Sequence, residues 1–195
     1  MQNFPVEKFK KVKTPFYYYD VELLKSTAKF VIAEAAKYDF QVHYALKANS
    51  NHKILRLLSS FGFGADCVSG NEISRALETG FSAAHIAFAG VGKTDEEINL
   101  ALKHDIFSFN CESIEEMEVI NELAKSSSKV AKVAIRFNPN VNAKTHHYIT
   151  TGLEENKFGI NRWELDDVLE ALQRLYNIEL VGLHFHIGSQ ITDLN

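Results

Sequence analysis

Four residues that can take part in proton-transfer or carbonyl chemistry each stand near the carboxyl end of a predicted strand. They are Lys47, Asp66, Arg136 and His186. Because side chains alternate between the two faces of a strand, each of them lies on the face opposite its bulky apolar neighbours. In parallel α/β proteins such residues meet at one edge of the sheet. A lysine in a partly dry site there has a lowered pKa and can form a Schiff base with an aldehyde.

A glycine and a serine follow the histidine and extend this set. Gly188 leaves the backbone free for close approach to a ligand, and the hydroxyl of Ser189 can reach a phosphate. If only the residues around Lys47 are considered, the simpler interpretation is that Lys47 is a solvated surface residue. The repetition of the two-faced pattern along several strands favours a functional amine. We therefore predict a phosphorylated aldehyde cofactor bound covalently to Lys47.

Strand and helix patterns alternate along the chain. Helix-capping patterns begin at Asp20, Ser69, Thr94 and Ser113, the last three with a glutamate three positions later. This alternation predicts parallel strands joined by helical crossovers. The predicted strands lie at 14–19, 42–47, 63–68, 85–89, 106–111, 132–138 and 180–187.

The polarity of the strand faces distinguishes two parallel architectures. In an open doubly wound sheet both faces are covered by helices and are apolar. Here the odd positions of 132–138 are apolar, whereas the even positions include Lys132, Arg136 and Asn138. A polar inner face favours a (β/α)8 barrel with its active-site mouth at the carboxyl ends of the strands. We find about six strand–helix units instead of eight. We therefore expect the amino-terminal part of a longer protein, with a segment 1–16 and a partial barrel 17–195.

Composition excludes several functional classes. The chain of 195 residues is 46% hydrophobic and 24% charged, with a net charge of −4, so no electrostatic attraction to nucleic acid or anionic membrane is expected. No apolar run approaches the ~20 residues that span a bilayer, and residues 1–13 lack the apolar core of a signal peptide. A cytoplasmic location is expected. Cys67 and Cys111 have no metal-ligand spacing, so they are predicted to be reduced packing residues, and no metal site is predicted.

Four motifs, in order along the chain, resemble the alanine-racemase-fold amino-acid decarboxylases, which use pyridoxal 5'-phosphate. Residues 44–49 (YALKAN) resemble the cofactor-lysine motif of that family, and residues 63–72 (FGADCVSGNE) resemble its second strand and the helix start that follows. Residues 156–160 (NKFGI) and 182–191 (GLHFHIGSQI) are similar to its diaminopimelate decarboxylase branch. Gln190 and Ile191 favour this branch over the ornithine decarboxylases.

The resemblance implies a role for each matching residue. Lys47 would hold the cofactor as a Schiff base and exchange it for the amine of the substrate. His186 would stack on the pyridine ring, Arg136 would lie near the ring oxygen, and Gly188 and Ser189 would bind the phosphate.

Two carboxylates are implied as supports for this site. Asp66 and Glu72 would orient Lys47 and His186, although the capping pattern at Ser69 explains Glu72 equally well. The implied reaction is the decarboxylation of meso-2,6-diaminopimelate to L-lysine. An ornithine or arginine decarboxylase and a non-catalytic cofactor-binding relative remain alternatives. A racemase of the same fold and a lysine-dependent aldolase also remain open.

The resemblance further implies parts that lie outside this sequence. These are a glutamate that pairs with the pyridine nitrogen, a glycine loop for the phosphate, a carboxyl-terminal β-domain that packs on residues 1–16, and a partner subunit of a homodimer. We therefore expect the 195-residue chain alone to be inactive. The long connection after Asn138 suggests a lid, to which Lys157 would belong, and His184 is expected to fill the barrel.

Overall fold

The computed structural model describes residues 4–138 and 158–187, and within these ranges helices and strands alternate from β1 onward. The strands are β1 (His43–Ala45), β2 (Gly64–Cys67), β3 (Ile86–Phe88), β4 (Ser108–Cys111), β5 (Ala131–Phe137) and β6 (Ile178–Phe185). The α-helices are α1 (Val6–Phe9), α2 (Val21–Ala36), α3 (His52–Ser60), α4 (Gly70–Glu78), α5 (Asp95–Lys103), α6 (Ile114–Ser126) and α7 (Leu165–Arg174). Short 3-10 helices cover Leu46–Ala48, Ala83–His85 and Arg162–Glu164.

All six strands form one parallel sheet in the order β1-β2-β3-β4-β5-β6. Each strand therefore pairs with the next strand along the chain, and one of the helices α3 to α7 lies between each pair. A doubly wound sheet reverses its strand order at a switch point. A barrel does not, because each crossover advances the sheet in the same direction. The predicted α/β class and the sequential order of a (β/α)8 barrel are both confirmed.

The core lies between the outer face of the sheet and the helices. Its buried strand residues include Ala65, Cys67, Ile86, Phe88, Phe109, Cys111, Val133 and Ile135. The helices contribute large apolar side chains that include Leu55, Ile73, Ile98, Met117 and Val168. Burying each such side chain stabilises the fold by about 1.5–3 kcal/mol. Both cysteines are free and buried, as predicted, and burial raises the pKa of each thiol.

Polar side chains fix the start of most of these helices. Asp20 and Asn51 accept backbone N–H bonds at the starts of α2 and α3, and Thr94 forms a complete capping box with Glu97 at the start of α5. In the parts of the chain that the structure describes, no helix is both long and apolar enough to cross a membrane.

The helices α4 and α6 depart from the predicted capping box. Ser69 and Ser113 cap these helices, but the carboxylates of Glu72 and Glu116 accept the N–H groups of Val68 and Glu112, one position before the cap. Each helix thereby holds the end of the strand that precedes it.

The predicted aromatic strand at 14–19 is wrong. The structure assigns no strand there, and no neighbouring strand within the described ranges pairs with this segment. Its side chains pack on one another and on α1 instead: the ring centroids of Phe9 and Tyr18 are 4.9 Å apart, and those of Phe9 and Phe16 are 5.5 Å apart. β-propensity reflects packing on a pleated surface, and aromatic residues without a partner strand need not form one.

Candidate active site

The polar face of the sheet is formed by residues in lateral register. Asp66 of β2 lies between Ala45 and Ala87 of the adjacent strands, so small side chains flank its carboxylate. At the other end of the strand order, Arg136 of β5 is in register with His184 of β6. In β2 and β5 these positions alternate with buried apolar residues such as Cys67 and Ile135, whereas the apolar residues that flank His184 in β6 are exposed. Of the four residues that the sequence predicts on this face, Asp66 and Arg136 lie in strands.

Lys47 lies in a turn rather than in a strand, which corrects the prediction. Strand β1 ends at Ala45, and Lys47 is an exposed residue of the 3-10 helix Leu46–Ala48. The chain turns there because Leu46 enters the core, where it is 1% exposed, and Asn51 begins α3 shortly afterwards. The charge of Lys47 still reaches Asp66 and His186, because it lowers the pKa of both groups. The three residues therefore lie within electrostatic range of one another.

Burial and neighbouring charges set the protonation of the site. Burial raises the pKa of Asp66 above its ordinary value, although the charges of Lys47 and His43 act in the opposite direction. Partial burial, followed by the charges of Arg136 and Lys47, lowers the pKa of His186. Burial and the charge of Arg136 also lower the pKa of His184, to about 4. Both of the latter imidazoles are therefore neutral at pH 7, and a neutral ring is suited to stacking on another aromatic ring.

Arg136 is held by groups on two sides. Its Nη1 atom donates to Oε1 of Glu112 at 2.5 Å, and its guanidinium lies 5.6 Å from the ring centroid of Phe158. The side chain of Arg136 is 15% exposed and that of Glu112 is 8% exposed. Glu112 follows the last residue of β4, and it is not among the site residues that the sequence predicts.

A buried lysine at the carboxyl end of the sheet was not anticipated from the sequence. The side chain of Lys93 is 1% exposed. Its Nζ atom donates to the carbonyls of Gly90 at 2.7 Å and Asn110 at 2.9 Å, and to Oε1 of Glu116 at 2.5 Å. All three ammonium protons are thereby used. A single lysine before a capping box predicts a solvated side chain, so the sequence carries no signal for this burial.

The comparison with known families decides the class of the chain. Residues 24–195 match the family described as the pyridoxal-binding domain of pyridoxal-dependent decarboxylases. The chain belongs to this family. The solved structures that it resembles place it in the amino-terminal barrel domain of the alanine racemase fold, as the sequence predicts.

Individual members of the decarboxylase family show how close the similarity is. The chain is 55% identical over 192 residues to diaminopimelate decarboxylase of Bacteroides thetaiotaomicron, which covers 98% of this chain and 50% of the relative. The structure of the Helicobacter pylori diaminopimelate decarboxylase with L-lysine is 46% identical, with a TM-score of 0.89, over 97% of this chain and 48% of the other. The arginine decarboxylase of Paramecium bursaria Chlorella virus is 26% identical, with a TM-score of 0.70, over 87% and 43%. The chain spans about half the length of these relatives.

The cofactor of a pyridoxal-dependent decarboxylase is pyridoxal phosphate, and the described residues fit it. Lys47 offers an exposed amine to an aldehyde, Arg136 offers guanidinium donors to an anionic oxygen, and His186 offers a neutral ring to the face of a pyridine. Each of the three residues stands at or just beyond the carboxyl end of a strand of the parallel sheet. The predicted phosphate ligands Gly188 and Ser189 lie outside the described residues.

Glu72 has a structural role in this decarboxylase domain. Its Oε2 atom accepts the N–H of Val68 at 2.7 Å, which fixes the loop that follows β2 and Asp66. Its predicted effect on Lys47 or His186 stays a prediction. The predicted lid and its residue Lys157 lie outside the described residues.

Substitution of Gly159 by alanine is expected to disturb Arg136. Gly159 has φ +99°, and a Cβ atom there would lie 2.7 Å from the carbonyl oxygen of Arg136 and 3.1 Å from its Cγ atom. The segment is held in this place because Ile160 donates its N–H to the same carbonyl at 2.8 Å. We expect a loss of about 1–3 kcal/mol, seen as a lower melting temperature, and weaker cofactor binding. The control is Gly92→Ala, because no heavy atom beyond its two chain neighbours lies within 4 Å of a Cβ there. Equal melting temperatures for the two variants would contradict this account.

Proposed function

We propose that the full-length protein decarboxylates meso-2,6-diaminopimelate to L-lysine with pyridoxal phosphate bound at Lys47. The observation that supports this proposal is that Lys47, Arg136 and His186 all stand at or just beyond the carboxyl ends of strands of one parallel sheet, and that the charges of Arg136 and Lys47 both act on His186. The chain is also 55% identical to a diaminopimelate decarboxylase, and the Helicobacter pylori enzyme binds L-lysine, the product of the proposed reaction. The bound cofactor supplies an electron-withdrawing ring that accepts the electron pair left when carbon dioxide departs.

The proposed roles follow from the position of each side chain. The exposed amine of Lys47 would hold the cofactor through its aldehyde and would leave that aldehyde open to the amine of a substrate. The neutral imidazole of His186 would support the cofactor ring by stacking. The guanidinium of Arg136 would bind an anionic oxygen of the cofactor.

Further residues are proposed to support these groups. Asp66, whose carboxylate lies within electrostatic reach of Lys47 and His186, orients both. Glu72 fixes the loop that follows Asp66. Gly188 and Ser189 are proposed as phosphate ligands on the strength of their sequence motif.

The proposed substrate can be tested on the purified full-length protein. With added pyridoxal phosphate, we expect kcat/KM for carbon dioxide release from meso-diaminopimelate to exceed that for ornithine or arginine by at least about 10²-fold. This expectation holds because a site built to bind a polar group rejects substrates that lack it. Preference for ornithine or arginine would reassign the chain to that branch. If borohydride reduction fixes the cofactor to Lys47 but none of the three amino acids releases carbon dioxide, the protein is a non-catalytic cofactor-binding relative.

We also propose that the full-length protein is a cytoplasmic homodimer. Reduced, buried cysteines support the location. Exposed apolar side chains at Phe4, Val6 and Phe16 support the proposal that residues 1–16 pack on a further domain. The proposed active site needs groups from parts of the full-length protein that lie outside this sequence. We therefore propose that the 195-residue chain alone is inactive.

A further inference from the structure

A line of contacts connects the buried Lys93 with Arg136. Nζ of Lys93 donates to Oε1 of Glu116, and Oε2 of Glu116 accepts the backbone N–H of Glu112 at 2.7 Å. Oε1 of Glu112 in turn accepts from Nη1 of Arg136. The position of the guanidinium therefore depends on a glutamate whose own backbone is fixed from the opposite side.

Lys93, at the start of this line of contacts, is held by several partners. Lys93 bridges the loop after β3, through Gly90, and strand β4, through Asn110. It also lies 5.3 Å from the ring centroid of Phe88 in the core. Because each ammonium proton already has an acceptor, Lys93 cannot change partners without losing a buried hydrogen bond. Glu116 and the backbone of Glu112 are therefore held in one arrangement.

Among the described residues, one buried oxygen of Glu112, its Oε2 atom, has no hydrogen-bond partner. The side chain as a whole is 8% exposed. A buried carboxylate oxygen without a donor costs free energy, so native proteins rarely retain one without a functional reason. A buried ion pair is also weak evidence for stability, since apolar substitutes of similar volume are often at least as stable. Both considerations favour a functional role for the pair between Glu112 and Arg136.

We infer that Glu112 is a positioning residue that fixes the guanidinium of Arg136 for the anionic ring oxygen of the cofactor. This inference rests on the proposed function, because it assumes that Arg136 contacts pyridoxal phosphate. The carboxylate occupies Nη1 and so leaves the remaining guanidinium donors for the ligand. Its negative charge also offsets the cost of burying the guanidinium before the cofactor binds.

The test is a double-mutant cycle in the full-length protein, with the dissociation constant of pyridoxal 5'-phosphate for the apoprotein as the measurement. We expect Glu112→Gln to raise this constant by about 10-fold or more, since removing a supporting partner of this kind costs 10–100-fold in related sites. Arg136→Met should raise it at least as much. If Glu112 acts through Arg136, the double variant should match Arg136→Met within about twofold, because the two effects are not additive.

Two further variants separate positioning from a general loss of structure. Glu96→Gln changes an exposed carboxylate on α5 and should leave the dissociation constant unchanged. Glu112→Asp keeps the charge but shortens the side chain, so it should weaken cofactor binding with a smaller loss of melting temperature. The cycle is repeated with this variant if Glu112→Gln does not fold.

Several outcomes would overturn the inference. Cofactor affinity of Glu112→Gln equal to that of the wild type would exclude a positioning role. Independent, additive losses in the double variant would show that Glu112 does not act through Arg136. In both cases the wild type still binds the cofactor and the proposed function stands. A wild-type protein that does not bind pyridoxal phosphate would remove the proposed function and the inference together.

Discussion

Replacement of Lys47 by arginine in the full-length protein is expected to lower the rate of carbon dioxide release by at least about 10³-fold. Arginine keeps a positive charge near Asp66 and His186, but it has no free amine to bond to the aldehyde of the cofactor. The measurement is kcat for meso-diaminopimelate, together with mass spectrometry of the protein after borohydride treatment. The covalent label should be present on Lys47 in the wild type and absent from the variant.

A matched control variant distinguishes the loss of activity from a loss of folding. Lys53→Arg changes another exposed lysine, at the start of α3, and should keep both the label and the rate. Because Lys47 is itself exposed, its replacement should change the free energy of unfolding by only about 0.5 kcal/mol. A Lys47→Arg protein that still carries the cofactor covalently would remove Lys47 from the proposed mechanism.

Replacement of Lys93 by methionine is expected to cause the largest loss of stability among these variants. It leaves the carboxylate of Glu116, which is 16% exposed, without its cation. The removal of one partner of a buried pair costs about 3–5 kcal/mol. For a protein of this size or larger, that corresponds to a decrease in melting temperature of roughly 10 °C. Thermal unfolding of the full-length protein, followed by circular dichroism, measures it.

Two companion variants test the cause of this loss. In Lys93→Met/Glu116→Gln the uncompensated charge is absent, so part of the stability should return. Lys25→Met removes a cation from an exposed pair with Glu22, at 2.9 Å on the surface of α2, and should cost at most about 1 kcal/mol. Equal losses for Lys93→Met and Lys25→Met would show that the burial of Lys93 contributes nothing.

The inward-facing residues could be predicted from the sequence because strand alternation is a local property. Asp66 and Arg136 stand beside apolar residues with opposite parity, so their common face follows from the chain geometry alone. The end of β1 could not be predicted in the same way. The apolar alternation continues to Leu46, whereas the strand ends where its pairing with β2 ends, after Ala45 and Asp66.

The support behind Arg136 could not be predicted because it depends on tertiary burial. Lys93, Glu112 and Glu116 belong to different elements or loops, and each is of a residue type that is mostly solvated. Nothing in their spacing distinguishes them from surface charges. Only the packing of α6 against the end of β4 places the three together.

The sequential order of the strands has a consequence for how the chain folds during synthesis. The first four pairings join residues roughly twenty positions apart, such as His43 with Gly64 and Phe109 with Val133. Each new strand and its helix can therefore dock on the previous unit soon after leaving the ribosome, because short separations keep loop-closure costs low. The pairing of β5 with β6 is different, since Val133 meets Leu180 only after a much longer stretch of chain has been made. Folding is thus expected to proceed vectorially to β5 and to pause before the strand that leads to His186.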